Sequence, residues 1–400
     1  MTSDNGTPFS NSGTMPASET AGRWYLLRWF ISYGTLTVPQ AAGPVAFSLM
    51  ALSLTGDTSG GAAMILAMTI AQVVGAVPLT RLGKKRPSAM VLKLLISIRT
   101  AALASMVVCI AYAAPFLWLI PLAAIAGSVN GAAYGYLRSI LNHFTPPARL
   151  PRALGIAATL NEVTFVLAPV AASGLGTISP VFAILALTVL GAIPALLVPA
   201  TGSPPHEEAH QAGGSVLSPT ILLWLLCAGA GGAAVAAIEI GAVALALSFG
   251  YEPGWAILFT VPLCLASVAG GAWVSVRNRM ATRKVVLIQL STMTLGCALA
   301  ALGQSLAATI VGAVLIGFVL APLATYYSLV LDMVAPPQRR PEVFALLRTA
   351  NAIGVIFTST VLTIVSLSMA LIVVTGLMAA ITALVAAASV KSPSATAPEG

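Results

Sequence analysis

The sequence predicts an all-α polytopic membrane protein, twelve transmembrane helices arranged as two pseudo-symmetric six-helix bundles. Three observations carry that expectation: the composition, the number of apolar runs, and a segment written twice. Hydrophobic residues make up 58% of the 400-residue chain and charged residues only 8%, with a mean hydropathy of +0.96. Soluble domains carry about 25% charge, so the solvent here is lipid. Tyr136-Leu137-Arg138, Pro146-Pro147-Ala148-Arg149, Pro151 and Thr159-Leu160-Asn161 return as Tyr326-Tyr327-Ser328, Pro336-Pro337-Gln338-Arg339, Pro341 and Thr349-Ala350-Asn351, always 190 positions later. An offset near half the length predicts two homologous halves. Gly127, Gly131 and Gly135 fall on Gly317, Ala321 and Thr325, a small-residue row that lets helix backbones approach closely in a membrane.

A span needs roughly 20 apolar residues. In chain order the runs fall at about 24–54, 60–82, 89–113, 115–141, 153–175 and 179–200, then 217–249, 254–276, 284–304, 306–334, 342–366 and 368–390. The organisation is a polar tail (1–22), a first bundle (23–200), a polar linker (201–216), a second bundle (217–390) and a tail (391–400). The first and seventh runs are overlong, predicting tilt or a break, with Pro39 and Pro44 marking it in the first. Residues 1–22 lack the charged start and short apolar core of a cleavable signal, so the first span is expected to be retained.

Basic residues alternate with the loops. Arg81, Lys84, Lys85 and Arg86 follow the second run, Arg149 and Arg152 the fourth, Arg277, Arg279, Arg283 and Lys284 the eighth, and Arg339 and Arg340 the tenth; the intervening loops contain no Lys or Arg. That is the positive-inside pattern, predicting cytoplasmic termini in a plasma (inner) membrane. The net charge of +8 therefore reads as topology, and no nucleic-acid partner is expected. Cys109, Cys227, Cys264 and Cys297 sit in apolar runs without metal or pairing spacing. The linker holds a literal H-E-x-x-H at His206–His210, but between prolines and glycines rather than on a helix, so no metal is assigned. Asn5-Gly6-Thr7 fits a glycosylation sequon that a cytosolic tail would leave idle.

Two six-span halves, a middle linker and basic loops after spans two and eight resemble the major facilitator superfamily. The family pattern after span two is G-x-L-A-D-R-x-G-R-K. Here the chain reads Ala76-Val77-Pro78-Leu79-Thr80-Arg81-Leu82-Gly83-Lys84-Lys85, with Arg81, Gly83 and the basic pair matching and Ala76 and Thr80 replacing the glycine and aspartate. The resemblance implies that Arg81, Gly83, Lys84 and Lys85 belong to a cytoplasmic switch whose aspartate is missing. Leu167-Ala168-Pro169-Val170-Ala171-Ala172 looks like the motif of drug/proton antiporters, and Thr159-Leu160-Asn161-Glu162-Val163 resembles a run in actinobacterial members.

Charge inside a bilayer costs about 2.5–3.5 kcal/mol per residue, which makes intramembrane ionisable groups functional candidates. Glu162 lies ~15 Å into the fifth span, Arg99 ~16 Å into the third, and Glu239 about as deep in the seventh. A carboxyl group in low dielectric can load and release a proton, so Glu162 reads as a coupling or substrate group, or as one half of an ion pair with a cation such as Arg99. Arg99 cannot lose its proton; it reads first as a structural partner, second as a substrate contact. Glu239 reads as substrate or proton binding, or as a polar kink. Asn161 and Asn351 read equally as helix–helix hydrogen bonds or ligand contacts. Arg138 and Arg348 lie near enough the cytoplasmic ends to snorkel, with a gate pairing to Asp332 as the alternative. Tyr134, Tyr136, Tyr326 and Tyr327 are expected to anchor at the interface, or else to rim a cavity.

No nucleotide-binding loop occurs, so no cofactor is expected and energy must come from a gradient; one charge crossing 100 mV is worth about 2.3 kcal/mol, or about fiftyfold accumulation. The sequence thus predicts a monomeric secondary transporter rather than an enzyme, two bundles rocking about a central site. A cavity poor in charge points to proton-coupled export of a small, largely apolar or amphiphilic compound. Uptake by the same fold is the alternative, with a lipid-modifying enzyme or a sensor behind it.

Overall fold

The computed structural model describes residues 17–56, 59–112, 114–198 and 218–390, which contain helices and no strands. Helices α1 (Ala17–Thr55), α2 (Ser59–Leu82), α3 (Ser88–Ala111), α4 (Leu119–Ser128), α5 (Asn130–Phe144), α6 (Leu150–Ile178) and α7 (Pro180–Leu197) form the first half. The second contains α8 (Pro219–Ser248), α9 (Ile257–Arg277), α10 (Arg283–Leu302), α11 (Leu306–Val334), α12 (Arg340–Ile364) and α13 (Leu367–Val390). Helices α4 and α5 share one apolar stretch, so among the described residues thirteen α-helices make twelve spans. The expected linker with His206–His210, the Asn5-Gly6-Thr7 site and the tail 391–400 lie outside the described residues, whereas α1 begins at Ala17, inside the polar stretch expected to precede it.

Local chemistry sets several helix starts. Ser218 Oγ accepts from Ile221 N at 3.2 Å and Ser305 Oγ from Ala308 N at 3.1 Å, each satisfying a donor the first turn leaves free. Pro180 and Pro219 occupy the first helical position, where a missing N–H costs nothing. Of the tilt or break expected in the first span, the break does not occur: α1 runs through Pro39 and Pro44 as one helix, packed along α6 and α7. The interruption falls instead in the fourth span, at Val129.

The small-residue row does what its spacing predicts. Gly127 faces the backbone of Met68, Gly131 faces Gln72 and Ala76, and Gly317 faces Leu263, so α4–α5 lies against α2 and α11 against α9 with little room for a side chain. The tyrosines depart from expectation. Tyr136, Tyr326 and Tyr327 are only 2%, 5% and 4% exposed, and they anchor nothing at the interface. Tyr136 Oη donates to Thr80 O at 2.8 Å, while Trp224 stacks edge-on to Tyr326 at 5.1 Å. The Tyr136 hydroxyl and the rings of Tyr326 and Tyr327 find partners inside their own bundles.

The repeat is visible in the geometry. Short 3-10 turns at Pro147–Arg149 and Pro337–Arg339 lead into α6 and α12 at matching positions. Arg138 Nε donates to Ser328 Oγ at 2.7 Å, and Asn142 Nδ2 donates to Asp332 Oδ1 at 2.6 Å; each bond joins residues 190 apart. Residues related by a twofold can touch only near the axis. The pseudo-twofold therefore passes between α5 and α11, at the end carrying the basic loops (the basic end).

Candidate functional site

At the basic end the halves are joined by charge and by bare backbone. Arg81 places Nη2 at 2.8 Å and Nε at 2.9 Å from Glu342 Oε1. Arg138, 1% exposed, bonds Ser328 and donates Nη1 to Asn142 Oδ1 at 2.9 Å, with its guanidinium 4.5 Å from the centre of the Phe344 ring. Asn142 passes the contact on to Asp332, which also pairs with Arg340 at 3.3 Å. Gly135 lies against Pro341 and Ala345, and Gly155 against Gly271 and Ser275. Asn278, in the left-handed region at φ 44°, accepts from Arg152 N and donates to Ala148 O, both at 3.0 Å. Asparagine tolerates that conformation better than most residues.

Above this seal the halves part. Of the seven buried residues in α6, six precede residue 158 and only Ala172 follows. Val163, Val166, Leu167 and Val170 on α6, with Ile353 and Phe357 on α12, are exposed. The arrangement is a cleft closed at the basic end and open at the other. Its floor is an aromatic and cationic layer: Arg348 Nη2 donates to Gln40 Oε1 at 2.7 Å and lies 5.5 Å from the Tyr134 ring centre, with Tyr33 6.1 Å from Tyr134. Just above stand two carboxyl groups on opposite halves, Glu162 from α6 and an exposed Glu239 from α8, within electrostatic range of each other. Arg348 lies within electrostatic range of Glu162, and the buried side chain of Ser267 faces the same carboxyl group.

The family model described as Major Facilitator Superfamily matches residues 29–359. The chain belongs to the Major Facilitator Superfamily. It is a membrane transporter, and members of this family are transport proteins rather than enzymes. None of the curated proteins matches the sequence. Among solved structures, a bacterial homologue of the iron transporter ferroportin in an outward-facing state is similar at TM-score 0.74 and 14% identity, covering 92% of this chain and 98% of that one. The transporter FucP in the outward conformation gives 0.72 and 13%, covering 94% and 99%. The human organic anion transporter MFSD10 (TETRAN) gives 0.70 and 15%, covering 93% and 100%. At these identities the likeness is one of fold.

Within this superfamily frame the residues expected to act divide clearly. Glu162 and Glu239 lie within electrostatic range of each other in the cleft. Asn161 donates to Glu162 Oε1 at 3.4 Å, leaving its own oxygen buried and unpartnered, whereas Asn351 leans on Gly232 of α8, inside its own half. Arg99 does not pair with Glu162. It is 2% exposed and donates to Leu36 O at 2.9 Å, Gly191 O at 2.7 Å and Asn130 Oδ1 at 3.3 Å, tying α1, α5 and α7 to α3. Arg138 and Arg348 do not snorkel; both turn inward to bridge the halves, and Asp332 serves Arg340 directly and Arg138 through Asn142. Thr80, standing where the family has aspartate, spends its hydroxyl on Ala76 O and Val77 O. Arg81 pairs with Glu342 across the halves instead. Gly83 is packed against Tyr136 and Val91, while Lys84 and Lys85 are exposed. Gln40, Asn142, Ser267, Asn278, Ser328 and Glu342 were not singled out from sequence. A search for deep charge passes over neutral donors, and Glu342 sits too near a helix start to look buried.

Proposed function

We propose that this transporter exports a small, largely apolar or amphiphilic compound across the plasma membrane in exchange for protons, as in the drug/proton antiporter branch. The basic end faces the cytoplasm, so the cleft described above is the outward-open state. The observation that carries the reading is the pair Glu162 and Glu239, one from each half, at the base of an otherwise apolar cleft. Closing the cleft brings two carboxyl groups together and strips them of water. Two like charges in a drying site repel strongly, and a proton on one of them removes the repulsion. Protonation from outside thus licenses closure, and opening to the cytoplasm lets cargo exchange for the proton, the alternation expected of two rocking repeats.

The orientation is supported by the arginine and lysine bias of the loops, and by the outward state of the similar ferroportin homologue and FucP. The resemblance in α6, Leu167–Ala172 and Thr159–Val163, supports the branch and an actinobacterial type. An organic anion, the cargo named for MFSD10, suits this cleft poorly, because its central charges are acidic and Arg348 is already held by Gln40. The test is reconstitution into liposomes with an imposed pH gradient, following efflux of a panel of amphiphilic dyes. Glu162→Gln should abolish proton-driven accumulation while leaving insertion intact. Uphill transport at the parental rate in Glu162→Gln would remove Glu162 from the coupling step.

A further inference from the structure

We infer that the second half carries a binding site for an anionic phospholipid at the basic end, between α9, α10 and α11 and apart from the central cleft. A cavity of about 380 Å³ opens there, walled by Trp273, Val274, Met280, Pro322 and Leu329. It adjoins a second hollow of about 390 Å³ bounded by Trp273, Val276, Arg277 and Arg279. Each is within the size range of small-molecule sites. Arg277 closes α9 and Arg283 opens α10, so the mouth lies where hydrocarbon gives way to headgroups.

The lining divides by chemistry as a phospholipid does. Arg277 and Arg279 stand at the mouth, both exposed and neither in an ion pair among the described residues. Arg277 lies 5.2 Å from the Trp273 ring centre, which aims it along the cavity edge. Deeper in, two polar side chains are buried without partners: Gln289 (7% exposed, Oε1 free) and Thr325 (5% exposed, Oγ1 free). A buried polar atom left unpaired costs about 1–3 kcal/mol, and both face this cavity. Trp273 and Val276 are exposed beside the mouth, where acyl chains would lie. Basic pockets between spans on this side of a membrane suit anionic headgroups.

The first half shows that the duplication does not require such a hollow. There Tyr136 reaches Thr80 O, with Gly83 packed against the hydroxyl. Its repeat mate Tyr326 lines the cavity instead.

The test is a titration of the purified full-length protein in neutral detergent, read by native mass spectrometry. The probes are phosphatidylglycerol, phosphatidylcholine and inorganic phosphate. Phosphatidylglycerol should bind saturably and the other two should not. Arg277→Gln/Arg279→Gln should weaken it roughly thirtyfold, at about one surface-potential contribution per lost arginine, and Thr325→Val should weaken it several-fold. Arg86→Gln/Lys93→Gln, removing equal charge from the other half, should leave it unchanged. Equal loss in the two double variants would mean diffuse attraction and overturn the site. Binding of phosphatidylcholine or of free phosphate as tight as that of phosphatidylglycerol would overturn the ligand class.

Discussion

Gly135→Ala tests the closed basic end most directly, because the contact it disturbs joins the two halves. Gly135 on α5 lies against the carbonyl of Pro341, and a Cβ there would also stand 3.0 Å from Ala345 N on α12. The obstacle is backbone on both counts, so no side chain can swing aside. Over-filling a well-packed contact costs about 1–3 kcal/mol. Only the state closed at this end pays it, since the helices separate when the end opens. A penalty of that size on one of two states moves their ratio by about 5- to 150-fold. Ala148 and Gln338, exposed repeat mates at the same end, can carry spin labels once Cys109, Cys227, Cys264 and Cys297 are replaced. The distance distribution between the labels should gain a long component in Gly135→Ala. Gly174→Ala is the control, since a Cβ there meets nothing within 4 Å. A Gly135→Ala distribution superimposable on the parent's would refute the idea that this contact holds the end shut.

Other substitutions should rank by burial. Glu342→Gln removes a pair whose arginine is 65% exposed, so solvent screening limits its worth to about 0.2–1 kcal/mol; the same labels should shift only a few-fold. Asp332→Asn should shift them much further, because it removes the carboxylate shared by Asn142 and Arg340 and strands the buried Arg138 beside a second cation, at a cost of about 3–5 kcal/mol. Arg99→Leu should lower the melting temperature and yield without altering the proton dependence of transport by the folded fraction, in contrast to Glu162→Gln. Equal stability of Arg99→Leu and the parent would sink the structural role. Glu239→Gln should change the pH dependence of transport, measured as dye efflux against external pH; an unchanged profile would leave Glu162 acting alone.

Much of the architecture was legible because lipid imposes it. A span must be long and apolar, and the repeat at 190 residues survives in the prolines, which fix a corner whatever surrounds them. Spacing along the helices singled out Glu162 and Glu239, which the fold places within electrostatic range of each other. What a one-dimensional reading lacks is azimuth. Arg138 and Arg348 sit near enough to the helix ends to reach water, yet the faces they occupy point at the opposite half, where Arg138 Nε donates to Ser328 and Arg348 Nη2 to Gln40. Arg99 looked in need of an anion, but three helices supply two backbone carbonyls and an asparagine oxygen, so no carboxylate is required. The same blindness to direction placed Tyr136 and Tyr326 at the interface, when both point into their bundles.

The axis contacts explain how a seal can be both specific and reversible. Arg138 with Ser328 and Asn142 with Asp332 occupy corresponding positions of a duplicated ancestor, and in a symmetric precursor each site would have faced its own copy. A residue facing its own copy cannot be an ion pair, because like would meet like. Divergence between the halves is what permits an arginine to meet a serine, and an asparagine an aspartate. One side of the axis thereby gained a buried cation and the other the carboxylate that compensates it. The remaining inter-half contacts at this end are small residues, the ring of Phe344 under Arg138, the two hydrogen bonds of Asn278 and an exposed ion pair, each weak alone. All lie at one end and so separate in one motion. The far end offers apolar faces, and in the exchange proposed above the seal competes with a closure over Glu162 and Glu239 whose electrostatic cost depends on their protonation.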